Sequence, residues 1–409
     1  MHISLDSALG RQRRLNQIGE TINSIATPAA AFSLRSLTGG DPLAVRVRRE
    51  SDNFEKDFTV SGIASGALEN FCDEATPARN RTGGAKYSSF SASGVTGFSA
   101  STSNAAACGY DIFGASGTAV QVSFDIVLNS GSVSVKLRPE FETGSDVSNS
   151  ETISSSGSKS FTLTSTAEFK ALQFIAASAD FVVSNFLVNV PYNHSAFVHT
   201  WFDQSGNDRH AVQDTDPRQP IIVESGTFQN GLKFTHADTT NGKRLSFDRD
   251  TSQLGTEFAF VWVGTYSGSS STPKNILGAS RLVQGFNSGS MGLVVRPSVE
   301  NFRFRNENSS TTNQQIVSTQ TMSADTLGVV FGNYDDDAVT ISLNGTANTA
   351  TFSSTVLNST KNFHIMSVTP YATANSPEGI CREALVYDTN QVNNRTSIET
   401  NIINHYSIS

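Results

Sequence analysis

At 409 residues the chain is long enough for two or three domains with full hydrophobic cores. A net charge of −8 argues against nucleic-acid binding, because holding a polyanion needs clustered Lys and Arg. Only 16% of residues are charged, 27 Phe supply sheet-packing mass, and Ser, Thr, Asn and Gly crowd the remainder, so an all-β protein is expected. No run of ~18 apolar residues occurs, and membrane insertion is not expected. Cys72, Cys108 and Cys381 are odd in number and widely spaced. They suit reduced, buried thiols better than a disulfide framework or a zinc site.

Residues 1–29 stand apart. Leu5, Leu9, Leu15, Ile18, Ile22 and Ile25 approximate a helical stripe, with Arg11, Arg13 and Arg14 between them. Gly10 and Gly19 would each weaken such a helix by up to ~1 kcal/mol. So short a helix needs a partner surface. An N-terminal anchor that docks into a larger assembly is the functional expectation, carried by Leu5, Leu9, Arg13, Arg14, Leu15, Ile18 and Ile22. A frayed terminus is the bland one. The segment has no apolar signal core and opens on Met1, which suits release by lysis or assembly.

Residues 30–72 carry the first strand signals. Ala44, Arg46 and Arg48 alternate with Val45 and Val47, the period of a half-buried strand, and Glu50-Ser51-Asp52-Asn53 reads as a turn. The basic runs Arg11–Arg14 and Arg46–Arg49 are expected to be solvated faces. Between 73 and 192 the chain becomes rich in Ser, Gly, Ala and Thr yet keeps strand periodicity. Val122, Phe124, Ile126 and Leu128 alternate, then Val133, Val135 and Leu137, then Phe161 and Leu163, with Asn129-Ser130-Gly131 as a turn. That stretch is expected to form a β-sandwich of its own, inserted into another. From 193 to 409 strands resume at Phe258, Phe260 and Trp262. Asn344-Gly345 marks a tight hairpin. A closing strand over Glu383–Tyr387 leads to a helix with Ile398, Ile402 and Ile403 on its apolar face and Asn390 or Asn393 as its cap.

Two stretches carry a family resemblance: SLRSLTGGDPLAVRVRRESDN, Ser33 to Asn53, and FVHTWFDQSGNDRHAVQ, Phe197 to Gln213. Together they resemble the catalytic-domain family of fungal α-L-arabinofuranosidase B. Its concanavalin-like sandwich also occurs in bacteriophage structural proteins. Phe71-Cys72 matches a Phe-Cys element of that family, but the partner cysteine is absent and a whole second sandwich intervenes before Asp203-Gln204-Ser205-Gly206. The inserted run CGYDIFGASGTAVQVSFDIVLNSGSVSV looks like the jelly-roll modules of carbohydrate-binding domains. The hairpin at Asn344-Gly345 is similar to that of laminin-G-like sandwiches.

The resemblance implies a retaining glycosidase, which needs two carboxylates ~5–5.5 Å apart. The family's nucleophile aligns with Gly289-Ser290-Met291-Gly292, where glycine replaces glutamate, and its acid aligns with Ile365–Tyr371, which holds none. A sandwich without catalysis is therefore expected. The residues left for sugar contact are Tyr110, Trp201, Trp262 and Tyr371 for stacking, and Asp203, whose ordinary role would be an Asx turn. His194, His199 and His210 share a segment without metal-ligand spacing, while Asp335-Asp336-Asp337 and the Asp203 turn leave calcium as the one cofactor to consider.

The expected function is a bacteriophage virion protein, whether tail fibre, receptor-binding protein or head-decoration fibre. It would bind host-surface glycan without catalysis, contact other virion proteins through its anchor and assemble as a homo-oligomer, a trimer by guess. The alternatives are a purely structural decoration and an active glycosidase with relocated carboxylates, for which two acids must face each other in one cleft.

Overall fold

The computed structural model describes residues 20–82, 85–142, 145–190, 192–235, 242–248, 253–271, 273–279, 290–307, 313–352, 362–367 and 377–409. The protein is all-β among these residues. One 18-stranded antiparallel sheet takes strands from both ends of the chain, and two five-stranded sheets take the strands between Arg79 and Val188.

The large sheet is continuous across the middle of the sequence. Strand Leu43–Arg49 pairs with Glu55–Thr59 on one side and with Ala196–Trp201 on the other, with Val47 opposite Val198. Strand Ala30–Ser33 pairs with Glu378–Tyr387, which also pairs with Glu257–Ser267. Along Glu257–Ser267 the period of two divides two cores. Phe258, Phe260 and Trp262 enter the larger one, and Ala259, Val261 and Val263 enter a second one closed by helices Ile22–Ile25 and Arg395–Tyr406. The hairpin between Ala338–Leu343 and Thr346–Thr351 turns on Asn344 (φ 48°) and Gly345 (φ 88°), a left-handed pair that favours this dipeptide.

The two five-stranded sheets enclose a core of their own. Val122, Phe124 and Ile126 from one sheet meet Cys108, Tyr110 and Phe174 from the other. Phe98 and Phe124 reach Phe174 at centroid separations of 5.1 and 5.2 Å. The chain leaves the large sheet at Cys72 and returns at His194, whose amide donates to the Cys72 carbonyl at 2.8 Å. Beside it the Tyr192 amide donates to Asp73 Oδ1 at 2.8 Å, so the two crossing segments are tied together.

Several local expectations are corrected. Strand Leu43–Arg49 is covered on both faces rather than half-buried. Arg46 remains solvated in an ion pair with Asp57, but Arg48 and Arg49 are buried. Arg48 bonds Gln219 and Asn53; Arg49 bonds Asp52, Glu74 and the Phe71 carbonyl and lies 4.5 Å from the Phe71 ring. Planar, many-donor guanidinium groups can be buried where such partners converge. Helices Val60–Ala64 and Ala67–Cys72 stand where only strand signals were read, the first capped by Thr59 Oγ1 accepting from the Gly62 amide. Asn129–Gly131 lies within strand Ala119–Gly131, not in a turn; Gly131 has φ 76° and a Cβ there would meet the Ser178 carbonyl at 2.0 Å. The last helix begins after Asn394, while Asn390 bonds Asp335. Ile22 is fully buried in the second core and is not free to anchor anything. Leu5, Leu9, Arg13, Arg14, Leu15 and Ile18 lie outside the described residues.

Asp203 and Gln204 fasten the first strand to the returning chain. Asp203 Oδ1 accepts from the amides of Ala31 and Ser205 at 2.8 and 2.9 Å, and Oδ2 from the Arg209 amide and Ser205 hydroxyl at 3.0 and 2.7 Å. Gln204 accepts from the Leu37 amide and donates to the carbonyls of Ser33 and Arg35. Asp203→Ala strands these amides and should cost about 2–4 kcal/mol in denaturant unfolding. Asp203→Asn should recover part of that. A change within about 0.5 kcal/mol for Asp203→Ala, the range of a bland surface substitution, would contradict this role.

Candidate functional site

Most residues selected from sequence for sugar contact are built into the protein's own packing. Tyr110, Trp201 and Trp262 are fully buried. Tyr110 stacks on Phe186 at 3.8 Å, Trp201 lies 5.8 Å from Phe32, and Trp262 lies 6.1 Å from Phe302. None can offer a ring face to a saccharide. Both oxygens of Asp203 are engaged as an Asx turn. Tyr371 is outside the described residues. Phe54 alone among the described Phe and Trp residues is exposed.

The acids and histidines considered for metal do not converge. Asp335 accepts from Asn390 and Asp337 from the Tyr334 hydroxyl. His199 meets Thr200 and Asp214, and His210 Nδ1 accepts from the Asp203 amide. Among the described residues no group of three or more His, Cys, Asp or Glu could hold a metal ion. Cys72, Cys108 and Cys381 are buried and unpaired, and burial pushes the Cys72 thiol up to about 12.

The third histidine, His194, opens onto a different site. It lies at the return point of the chain and lines a cleft of about 410 Å3 together with Glu50 and Ser51 from the large sheet and Arg79, Asp111, Phe113, Glu140, Phe141, Glu142 and Lys170 from the inserted body. This volume falls within the ~300–1,000 Å3 range of small-ligand sites.

Sheet register builds the charged wall. Arg79 pairs with Gly109, and Asp111, two residues on, shares that face, while Cys108, Tyr110 and Ile112 point into the core. Arg79 grips Asp111 through Nε (2.6 Å) and Nη2 (3.0 Å) and Glu142 through Nη1 (3.1 Å). Its guanidinium lies 3.6 Å from the Phe141 ring centroid. Arg81 and Gln173 both donate to the Phe141 carbonyl and hold that loop on the sheet. Lys170 Nζ meets Glu140 Oε1 at 2.9 Å. Burial raises the Asp111 carboxyl above its ordinary range, even against the paired Arg79.

Two polar groups of this cleft have no partner. His194 is fully buried, with Phe113 edge-on at 5.8 Å, and neither ring nitrogen makes a hydrogen bond. The Ser51 hydroxyl is likewise unbonded. Buried polar atoms left unmade cost about 1–3 kcal/mol each, so a native cleft that keeps them has room for a polar occupant. Sequence reasoning noticed His194 only as a weak metal ligand. It missed Arg79, Asp111, Glu140, Glu142 and Lys170, which no motif links.

Two other concavities are weaker. A polar cleft of about 760 Å3 beside the Asp203 turn, lined by Asn207, Asp208, His210 and Asp248, presents no described side chain that is both buried and unbonded. A groove of about 140 Å3 between Leu34, Val60, Ile63, Phe228 and Tyr406 is below small-ligand size.

No family model and no curated protein matches the chain. Distant structural matches exist. A Trypanosoma rangeli sialidase aligns at 15% identity and TM-score 0.35, over 50% of this chain and 31% of that one. The Ruminococcus gnavus IT-sialidase CBM40 bound to α2,3 sialyllactose aligns at 10% identity and TM-score 0.31, over 37% of this chain and 84% of that one. A mutant of HCR/D aligns at 11% identity and TM-score 0.37, over 50% of each chain. The chain thus spans about a third of the sialidase. The likeness in each case is one of β-sheet architecture.

The cleft carries a pH signature. Burial, with Arg49 nearby, lowers the His194 pKa from 6.5 to about 4; Asp52 and the Glu74 carbonyl pull the other way, though that carbonyl misses hydrogen-bond geometry. Between those two pH values the unfolded chain binds the extra proton. The stability contributed by neutral His194 is therefore whole above pH 6.5 and is lost as pH falls toward 4. His364, also lowered to about 4 by burial, adds a second contribution of the same sign. His194→Phe should flatten the acid-side fall in unfolding free energy by up to about 3 kcal/mol relative to the parent. Identical slopes in parent and variant would contradict a buried neutral imidazole.

Proposed function

We propose that the protein is a non-catalytic, glycan-binding component of a bacteriophage particle that holds host-surface saccharide at the junction between its two β-bodies. The observation that carries the reading is the junction cleft itself. Carboxylates stand beside Arg and Lys donors, Phe113 supplies an apolar edge, and a buried imidazole has both ring nitrogens unbonded. Each saccharide hydroxyl both donates and accepts, and such paired acid–base lining answers both needs.

The virion assignment is supported by the resemblance of residues 33–53 and 197–213 to a concanavalin-like sandwich that occurs in phage structural proteins, and by the apolar and Arg-rich composition of residues 1–19. The finer architecture proposed is that sandwich interrupted by a jelly roll over 73–192. Contact with other virion proteins and a trimeric state belong to the same proposal. Absence of catalysis is supported at the cleft, where Arg79 bridges Asp111 and Glu142. A glycosidase pair must instead flank the bond it cleaves. A purely structural role without glycan is favoured by one fact, the burial of Tyr110, Trp201 and Trp262.

Calorimetric titration of the whole protein with host envelope polysaccharide fragments separates the two. Saturable binding that weakens at least about tenfold in Lys170→Ala and Glu140→Ala, both on the open rim, supports the glycan reading. No binding with multivalent presentation, or binding that ignores both substitutions while Phe54→Ala abolishes it, rejects the cleft.

A further inference from the structure

We propose that the junction cleft selects saccharides without negative charge and prefers those bearing a free amine. This rests on the glycan reading above and adds the class of sugar.

The cleft's charges are unequal. Of the side chains that line it, Glu50, Asp111, Glu140 and Glu142 are acidic, and Arg79 and Lys170 are permanent cations. Both cations are committed. Arg79 has three of its donors on Asp111 and Glu142, and Lys170 is paired with Glu140. Glu50 is exposed and within no ion-pair distance of a cation among the described residues, though Lys170 and Lys243 act on it through space. Among the lining side chains alone four carboxylates stand against two cations, while Lys243 acts on Glu50 and Arg81 on Glu142 from outside the lining.

The buried side chain with open valences adds to this. His194 is fully buried, unbonded at both ring nitrogens and lines the cleft, so a ligand meets a neutral donor–acceptor and not a third cation. A carboxylate-bearing sugar would need a free Arg or Lys to accept it, and would instead face Glu50. A neutral sugar can donate hydroxyls to the spare lone pairs of Glu50 and Glu140. An ammonium group does the same with charge assistance.

The test is a titration of the whole protein, at low and moderate salt, with three oligosaccharides of equal length: a β-1,4-linked glucosamine oligomer, its N-acetylated form and a uronic-acid oligomer. Affinity is expected to fall in that order, with about tenfold or more between the first and the last. The preference for the amine form should shrink as salt is raised. Glu50→Gln should narrow the gap between amine and acid oligomers, weakening the amine form more than the N-acetylated one. Equal or tighter binding of the uronic-acid oligomer overturns the selectivity and leaves the glycan reading intact. Failure of all three oligomers also overturns it, and the host-polysaccharide titration then decides separately whether the glycan reading survives.

Discussion

The side chains of Asp203 and Gln204 act as backbone for a segment that has too few neighbours of its own. Strand Ala30–Ser33 and the following turn reach the sheet at one edge, through Glu378–Tyr387. On the other side they are met by a carboxylate accepting the Ala31 amide and a carboxamide bonding Leu37, Ser33 and Arg35. This places Arg35 over Glu383, which it binds in a two-pronged pair at 2.8 and 3.1 Å inside the core. Glu383 also accepts from Ser33 and Tyr406, so a fully buried carboxylate has its lone pairs answered by the segment that Gln204 positions together with the last helix. A buried charge is tolerable only with such completeness. The two sequence stretches that first drew notice are thus two sides of one structural joint.

That joint matters because the sheet is interrupted. Closing a loop of about 120 residues instead of a few costs only about 3 kcal/mol more in chain entropy, since each doubling adds about 0.6 kcal/mol. The insertion lowers even that cost by folding with its ends together. The Cys72 carbonyl and Asp73 carboxylate bond the amides of His194 and Tyr192. Strand Leu43–Arg49 then finds Ala196–Trp201 as if nothing had intervened. The same closure puts Glu50, Ser51 and His194 against the outer face of an inserted sheet, and this contact creates the cleft.

What the sequence made legible was whatever depends on near neighbours. Period-two alternation located Val122–Ile126 and Phe258–Trp262, and Asn344-Gly345 located its hairpin, because strand faces and left-handed turns are local properties. Burial of whole residues was not local. Arg48 and Arg49 looked solvated by type, yet each found partners in turns or helices beyond its own strand, such as Gln219 and Glu74. Tyr110 and Trp262 looked like sugar platforms by type, but register sends both inward. The cleft was least legible, since Arg79, Asp111, Glu142 and Lys170 come together only through strand pairing and a loop folded over it. No spacing in the chain announces a site assembled by register.

The charged wall of the junction cleft lies within the inserted body. Apolar side chains of similar volume would fill that wall without the desolvation that Arg79, Asp111 and Glu142 carry. An apolar residue at 194 would also remove a buried imidazole that loses stability in acid. Elsewhere this protein satisfies its buried charge thoroughly, as at Glu383. At the cleft the His194 ring nitrogens and the Ser51 hydroxyl make no hydrogen bond. The Trp201 indole and the Tyr110 and Tyr387 hydroxyls are unbonded inside the cores as well, so what sets the cleft apart is the open volume beside His194 and Ser51. A ligand that brings hydroxyls or an ammonium group would fill that volume, and would do so by touching both bodies at once.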